Sequence, residues 1–207
     1  EGRRVINNIQ RAAALYLVKN IFSFCLSIIS LFATVPYPVT PLQLSLLSAV
    51  TIGVPSFFLA LEPNHSLVKG KFLGNVFRSA LPGGLTDLIV VLGAEAFYLA
   101  FGFTTDELST ISAILLIVVG ILVLYQVCKP FDWKRRVLWG AMAGSSAVTI
   151  IFFGPNFGLS PLEIQPFLVL LVFLGLSYSV FKLMLNLFEL GSSLINKGKH
   201  LRGRRRP

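Results

Sequence analysis

The chain has 207 residues, of which 55% are hydrophobic and 13% charged, and its mean hydropathy is +0.78. This composition excludes an ordinary water-soluble domain. Lys and Arg number 18 against 9 Asp and Glu, a formal net charge of +9. The cations gather at the ends of apolar runs, which favours a membrane surface over nucleic acid as the partner. Cys25 and Cys128 lie inside apolar runs, so we expect buried thiols and neither a disulfide framework nor a metal knuckle.

Six apolar segments are each about long enough to cross a bilayer as a helix, which takes roughly 20 residues. They are 13–33, 42–61, 85–103, 108–127, 137–153 and 162–188. Backbone groups in lipid must be satisfied within the segment, and these continuous runs lack the alternation of barrel strands. The predicted fold class is therefore all-α, a polytopic membrane bundle of six transmembrane helices. The predicted parts are a stalk start (1–12), two spans (13–61), a cytoplasmic loop (62–84), four spans (85–188) and a basic tail (189–207).

The distribution of cations predicts the orientation of the bundle. Four stretches that fall on one side carry Lys and Arg: Arg3, Arg4 and Arg11; Lys69, Lys71 and Arg78; Lys129, Lys134, Arg135 and Arg136; and Lys197, Lys199, Arg202, Arg204, Arg205 and Arg206. The three joints on the other side contain none. Cytoplasmic loops are the ones enriched in Lys and Arg, so we predict that both termini are cytoplasmic. The tail is expected to bind anionic lipid headgroups, with a specific regulatory role as the alternative.

Catalytic motifs of soluble enzymes are absent from the sequence: it has no glycine-rich phosphate loop, no HExxH and no paired carboxylates in one segment. Candidate functional residues are therefore the polar ones inside the spans. In the first span, Asn20 and Ser23 begin a polar stripe that continues at helical spacing, and Lys19 precedes it. Packing by small residues is the alternative for the serines. A lysine inside a span costs about 2.5–3.5 kcal/mol, unless it snorkels to the surface.

The second span combines hydroxyl side chains with a helix breaker. Ser48 and Thr51 fall three residues apart and are followed by Gly53 and Pro55. Proline inside a helix removes one backbone hydrogen bond and clashes with the preceding turn, so we expect a break or kink near Gly53. Carbonyls freed beside hydroxyls at this depth are suited to a cation site, and a purely structural kink is the alternative.

Glu95 is the only acidic residue near the middle of a predicted span. A lone carboxyl at this depth is either protonated and hydrogen-bonded or paired with a cation, for which Lys19 and Lys182 are the candidates. Asp87 is expected close to a cytoplasmic boundary. Glu95 is therefore the candidate acid of an ion pathway.

Two stretches of the sequence resemble a known family. The opening EGRRVINNIQR leads into a helix that contains Lys19 and Asn20, and PLQLSLLSAVTIGVPSFFLALEPN follows a short turn. Together they resemble the end of the phosphorylation domain and the fifth and sixth transmembrane helices of P-type cation-transporting ATPases, in the branch of calcium, sodium-potassium and proton pumps. The four remaining spans resemble the seventh to tenth helices in number and orientation only.

This resemblance implies a carboxy-terminal part of the membrane domain of an ATP-driven translocase. The chain is expected to be a piece of something longer, with 1–12 as a mechanical stalk. ATP and Mg²⁺ would act on the phosphorylation and nucleotide domains of the parent protein, and no cofactor is expected in this stretch. The implied partners are the lipid bilayer, the remaining helices and cytoplasmic domains of the pump, and the transported cation. The implied localisation is a multi-pass protein of a bacterial plasma membrane.

The resemblance also suggests ion-site residues. Asn20 and Thr51 match an asparagine and a threonine of the family's site, whereas Ser23, Ser48 and Ile52 stand where the calcium pump has a glutamate, an asparagine and an aspartate. Calcium takes 6–8 oxygen ligands, with carboxylates supplying charge. No residue is therefore assigned to a metal site here, and a proton or monovalent cation is favoured over calcium.

Lys19 also resembles the lysine before the same asparagine in the gastric proton pump. It would act as a built-in positive charge, with Glu95 as the candidate compensating acid. Three alternatives stay open: a calcium- or magnesium-transporting member of the same family, a free-standing six-span secondary transporter or channel, and a structural platform whose polar residues only pack helices.

Overall fold

The computed structural model describes the backbone of residues 2–32, 36–62 and 72–203, and the side chains of residues 5–32, 36–62 and 72–191. Within these residues all regular structure is helical. The elements are α1 (Gly2–Phe32), α2 (Pro41–Ser48), a π-helical segment (Ala49–Gly53), α3 (Val54–Leu61), α4 (Phe72–Phe101), α5 (Thr105–Val127), α6 (Trp133–Phe153), a 3₁₀ turn (Gly154–Phe157) and α7 (Ile164–Gly203). Because α2, the π segment and α3 run on as one second span, Pro41–Leu61, six helices are long and apolar enough to cross a membrane. The predicted all-α class and number of spans are confirmed.

The first helix is longer than a bilayer requires. It has 31 residues, and at 1.5 Å per residue its length is about 46 Å, against a hydrocarbon core of about 30 Å. The excess gives α1 the length that a helix continuing into a stalk requires.

Helix α4 begins much earlier than the predicted third span. It starts at Phe72, so most of the loop expected at 62–84 is helical, and Pro82 lies inside the helix. A Cβ atom added at Gly84 would lie 2.7 Å from Cγ2 of Ile21 in α1. The Pro-Gly-Gly stretch is therefore where α4 packs closely against α1. From the sequence alone, such a stretch is typical of a loop.

Helix α5 is the centre of the bundle. It contacts α1, α4, α6, α7 and the second span. Its buried apolar side chains include Leu108, Ile111, Leu115, Leu116 and Leu124, each at most 1% exposed. The other helices surround α5 and present apolar side chains outward, as expected where the surrounding medium is lipid.

The two ends of the bundle differ in their chemistry. At one end, here called the basic end, a cavity of about 360 Å³ is lined by Arg11, Ser79, Gln126 and Lys129 among others. At the other, here called the opposite end, the contacts involve Gln43, Ser109 and Gly158. This alternation of helix ends agrees with the predicted topology, and the assignment of the basic end to the cytoplasm stays a prediction.

Some predicted features lie outside the described residues. They are the side chains of Arg3 and Arg4, the cations Lys69 and Lys71, and the side chains of the tail cations, among which Arg204, Arg205 and Arg206 are also outside the described backbone. The backbone of the tail is helical as far as Gly203.

Candidate ion site

The second span begins with a capping box that also anchors it to the bundle. The Thr40 hydroxyl accepts from the Gln43 N–H, and the Gln43 carboxamide oxygen accepts from the Thr40 N–H at 3.0 Å. The Gln43 amide group donates to Ser109 Oγ at 3.2 Å and to the Gly158 carbonyl at 2.8 Å. One buried side chain therefore fixes both the start of the span and its contact with α5.

The predicted break near Gly53 is a π-helical segment in a helix that continues. Its widened turn is seen where the Val54 N–H donates to the Ala49 carbonyl, five residues earlier. Pro55, in the first turn of α3, has no N–H, and its ring crowds the carbonyl four residues before it. A π turn relieves this crowding, and such turns are frequent at functional sites. The predicted irregularity is present, and the helix does not end there.

The hydroxyl groups beside the π segment bond back to their own helix. Ser48 Oγ donates to the Leu44 carbonyl at 2.6 Å, and Thr51 Oγ1 donates to the Leu47 carbonyl at 2.7 Å. Because each hydroxyl has one hydrogen and two lone pairs, both oxygens keep the capacity to accept.

Lys19 contacts the second span at this point. Its ammonium group donates to Ser48 Oγ at 2.6 Å across the interface between α1 and the second span. The side chain therefore holds its charge against the start of the π segment instead of extending to the basic end.

The other two predicted residues of α1 differ in exposure. Asn20 is exposed and Ser23 is half-buried. Adjacent helix residues point about 100° apart, so the face with Asn20 turns away from the contact that Lys19 makes. In these six helices Asn20 and Lys19 do not join in one site.

Glu95 is buried in α4, with 7% of its surface exposed. It forms no ion pair with Lys19 in the described part of the chain, and it does not line the cavity that Lys19 lines. The structure does not bring together the predicted pair of Lys19 and Glu95.

Asp87 is the acidic residue that shares a cavity with Lys19. This cavity, here called the Lys19–Asp87 cavity, has a volume of about 20 Å³ and is lined by Lys19, Thr51, Asp87 and Gly120 together with apolar side chains. Asp87 is 4% exposed, and its Oδ1 has no hydrogen-bond partner. A span that begins at residue 85 places Asp87 near a boundary, whereas α4 begins at Phe72 and places Asp87 near its middle. Nothing in the sequence signals this position, because the Pro-Gly-Gly stretch before Asp87 is typical of a loop.

A glycine brings α5 against the π segment. A Cβ atom at Gly120 would lie 2.6 Å from Cγ2 of Thr51, closer than side chains approach. The absence of a side chain at Gly120 is therefore what lets Thr51 and the wall of the cavity come together.

The chemistry that these groups offer is limited. An ammonium, two hydroxyls and one carboxyl lie in or beside the cavity, and the described residues contain no group of three or more His, Cys, Asp or Glu suited to a metal ion. Calcium takes 6–8 oxygen ligands, and the side chains of Ser48, Thr51 and Asp87 offer four oxygen atoms in or beside this cavity.

The basic end holds α1, the second span and α6 together through a charged cluster. The Glu62 carboxylate accepts from Arg11 at 3.2 Å and from Arg135 at 2.6 Å. Asn8 donates to the carbonyls of Ala60 and Glu62 at 3.0 and 2.8 Å. Arg11, Glu62 and Arg135 are here called the Glu62 cluster, which ties the basic end of α1 to the end of the second span and to α6.

Cys128 lies beside this cluster and is fully buried. Desolvation raises the pKa of its thiol to about 11, although the charges of Arg11 and Arg135 oppose the shift. The thiol is therefore neutral at physiological pH. Its burial agrees with the prediction, whereas Cys25, also expected to be buried, is only half-buried.

Comparison with known proteins finds relatives of the chain among bacterial ATPases. No family model matches it. It is 32% identical over 160 residues to the probable cation-transporting ATPase exp7 of Streptococcus pneumoniae, which covers 73% of this chain and 21% of that protein. It is 34% identical over 156 residues to the calcium-transporting ATPase CtpE of Mycolicibacterium smegmatis, and the match covers 67% of this chain and 19% of that protein. It is 31% identical over 166 residues to CtpE of Mycobacterium bovis, and the match covers 73% of this chain and 21% of that protein.

The chain spans about a fifth of the length of the curated relatives it matches. Their names agree with the family that residues 1–11 and 41–64 resemble, and the fold supplies the six membrane helices that this resemblance requires. The chain is thus an integral membrane protein and belongs to the P-type cation-transporting ATPases, of which it spans one part.

Proposed function

We propose that this chain is the carboxy-terminal membrane part of an ATP-driven cation pump and that α1 and the second span line its ion path. The contact between Lys19 and Ser48 at 2.6 Å supports this proposal. It joins the two helices beside the π turn of the second span, and these are the two helices that resemble the family's ion-site helices. ATP and Mg²⁺ would act on domains outside this chain.

Calcium is the first candidate ion. Two of the relatives described above are named calcium-transporting ATPases. Ser48, Thr51 and Asp87 provide too few oxygens for calcium, so the remaining ligands would come from the pump's other helices. Asn20, exposed in these six helices, would face those helices.

A proton or monovalent cation is the second candidate, and Lys19 is the observation that favours it. An ammonium beside the path repels a divalent ion twice as strongly as a monovalent one at the same distance. The comparisons give no support to this preference, which stays a prediction.

The deciding experiment uses the full-length pump in proteoliposomes. The ATPase rate and ion uptake are measured against Ca²⁺, Mg²⁺, Mn²⁺, Na⁺, K⁺ and pH, for the natural protein and for Lys19→Met. Lys134→Met is the matched control, because Lys134 is exposed and lies at the start of α6.

A calcium pump is expected to show Ca²⁺-dependent ATPase activity and uptake, with higher Ca²⁺ affinity in Lys19→Met because a repelling charge is gone. A proton or monovalent pump is expected to lose its ion dependence in Lys19→Met and to ignore Ca²⁺. Transport without ATP would contradict the pump and favour a secondary transporter or channel. Normal transport after apolar replacement of Asn20, Thr51 and Glu95 would favour a structural platform.

A further inference from the structure

We propose that Asp87 is the electrostatic partner of Lys19 and that the Lys19–Asp87 cavity binds one water molecule that joins the two charges. The geometry of the pair stands on the fold alone. Its effect on ion selectivity rests on the proposed pump function.

The first observation is the burial of an unsatisfied acid. Asp87 lies inside α4 with 4% of its surface exposed, and Oδ1 has no hydrogen-bond partner. A carboxylate removed from water without a partner is costly, so buried acids are found paired or hydrogen-bonded. Asp87 therefore requires a partner in its cavity.

The second observation is the unused capacity of Lys19. An ammonium group has three N–H donors, and the structure shows one of them on Ser48 Oγ. Lys19 is the only basic residue among those that line the cavity in the described part of the chain. Lys19 is thus the cation best placed to compensate the negative charge of Asp87.

The third observation is the size and polarity of the cavity that Lys19 and Asp87 both line. The cavity volume of about 20 Å³ exceeds the 10–15 Å³ that a water molecule needs by this measure. A buried water typically makes two to four hydrogen bonds. Lys19, Thr51 and Asp87 are the residues with polar side chains among those that line the cavity, and the other lining residues are apolar.

Lys19, Ser48 and Asp87 together set the position of the ammonium charge. Lys19 has two acceptors, Ser48 directly and Asp87 through the water, and the first places the ammonium against the second span. Attraction to the Asp87 carboxylate draws the charge toward α4 and offsets the repulsion that the Lys19 ammonium exerts on a cation in the path. Asp87 is accordingly a positioning residue that sets how strongly Lys19 repels a cation in the path.

The test is a double-mutant cycle in the full-length pump with Lys19→Met, Asp87→Asn and the double variant. Each is measured by thermal unfolding midpoint and by the cation concentration that half-activates the ATPase. Asp87→Asn keeps the shape of the side chain and removes its charge. Glu95→Gln, combined with Lys19→Met in the same way, is the comparison, because it makes the same chemical change in another buried acid of α4.

We expect Asp87→Asn alone to raise the half-activating concentration about tenfold, within the range for coupled residues, because Lys19 then repels the cation without compensation. In the Lys19→Met background this rise is expected to vanish. Lys19→Met alone is expected to lower the unfolding midpoint, since it leaves a buried acid unpaired, and the double variant to recover it. Glu95→Gln is expected to add independently to Lys19→Met.

Additive effects of Asp87→Asn and Lys19→Met in both measurements would overturn the proposal, as would coupling of Lys19 to Glu95 instead. If Lys19→Met fails to fold, recovery of folded protein in the double variant is the supporting result, and failure of both is the contrary one. If the ATPase has no cation dependence, the proposed function fails, whereas the unfolding cycle still decides the pair.

Discussion

At the scale of single residues, Gln43 makes several of the polar contacts at the opposite end. It closes a capping box with Thr40 and donates to Ser109 and to the Gly158 carbonyl. We expect Gln43→Ala to lower the free energy of unfolding by about 2 kcal/mol, because buried partners lose their hydrogen bonds. Thermal or denaturant unfolding of the full-length protein measures this change. Ser45→Ala is the control, since Ser45 is exposed and bonds only to its own helix; equal losses would contradict the role of Gln43.

Cys128 gives a second prediction at this scale. Its thiol is fully buried, and desolvation raises its pKa to about 11. The thiolate is the reactive form, so labelling of the folded protein by a thiol-selective methanethiosulfonate reagent is expected to be negligible at pH 7 and to increase as the pH rises toward 11. Mass spectrometry after timed labelling measures it.

The control for this labelling replaces Cys128 by Ala and places a cysteine at the exposed Lys129. Lys129→Cys is expected to label readily at pH 7. Equally rapid labelling of Cys128 in the folded natural protein would show that its thiol is accessible, against the structure.

At the scale of elements, the π segment depends on the helix that faces it. Gly120 leaves no room for a Cβ atom beside Thr51, so Gly120→Ala is expected to displace α5 from the second span. Overpacking of this kind costs about 1–3 kcal/mol, and the unfolding midpoint of the full-length protein should fall. Half-activation of the ATPase should shift as well, since the cavity wall moves.

Gly140 in α6 provides the matched control for Gly120. A Cβ atom at Gly140 would meet nothing within 4 Å, so Gly140→Ala should stabilise the helix by up to about 1 kcal/mol. The two identical substitutions thus have opposite expected signs, and a loss of stability in both would contradict the packing explanation.

At the scale of the whole molecule, the Glu62 cluster connects the basic end of α1 to the second span and α6. Glu62→Gln would leave the guanidinium groups of Arg11 and Arg135 close together without their shared anion. We expect a loss of about 1–3 kcal/mol in unfolding free energy and, in the proposed pump, ATP hydrolysis less tightly coupled to transport.

The ratio of ions transported to ATP hydrolysed measures this coupling in proteoliposomes. Glu163→Gln is the control, because Glu163 is an exposed acid at the opposite end that forms no ion pair in the described residues. An unchanged ratio in Glu62→Gln would limit the cluster to a stabilising role.

The irregular turn in the second span was predictable from the sequence, because Gly53 and Pro55 disturb the backbone through their own covalent geometry. Its form as a π segment was not predictable, since a proline in a helix can be accommodated by a break, a kink or a widened turn. The same limit applies to α4, where Pro82 and Gly84 are typical of a loop until the close contact with α1 is known.

The sequence by itself determined the all-α class, the six spans and the alternation of their ends, because the hydrophobic length of a segment is a local property. It also placed Lys19, Ser48 and Thr51 in the two helices of the candidate site. Only the tertiary structure decided that Lys19 contacts Ser48, that Asp87 and not Glu95 shares its cavity, and that Asn20 turns outward. The physical reason is that such side-chain contacts depend on the rotation and spacing of the packed helices. Rotation and spacing are in turn set by close contacts between residues that are far apart in the sequence.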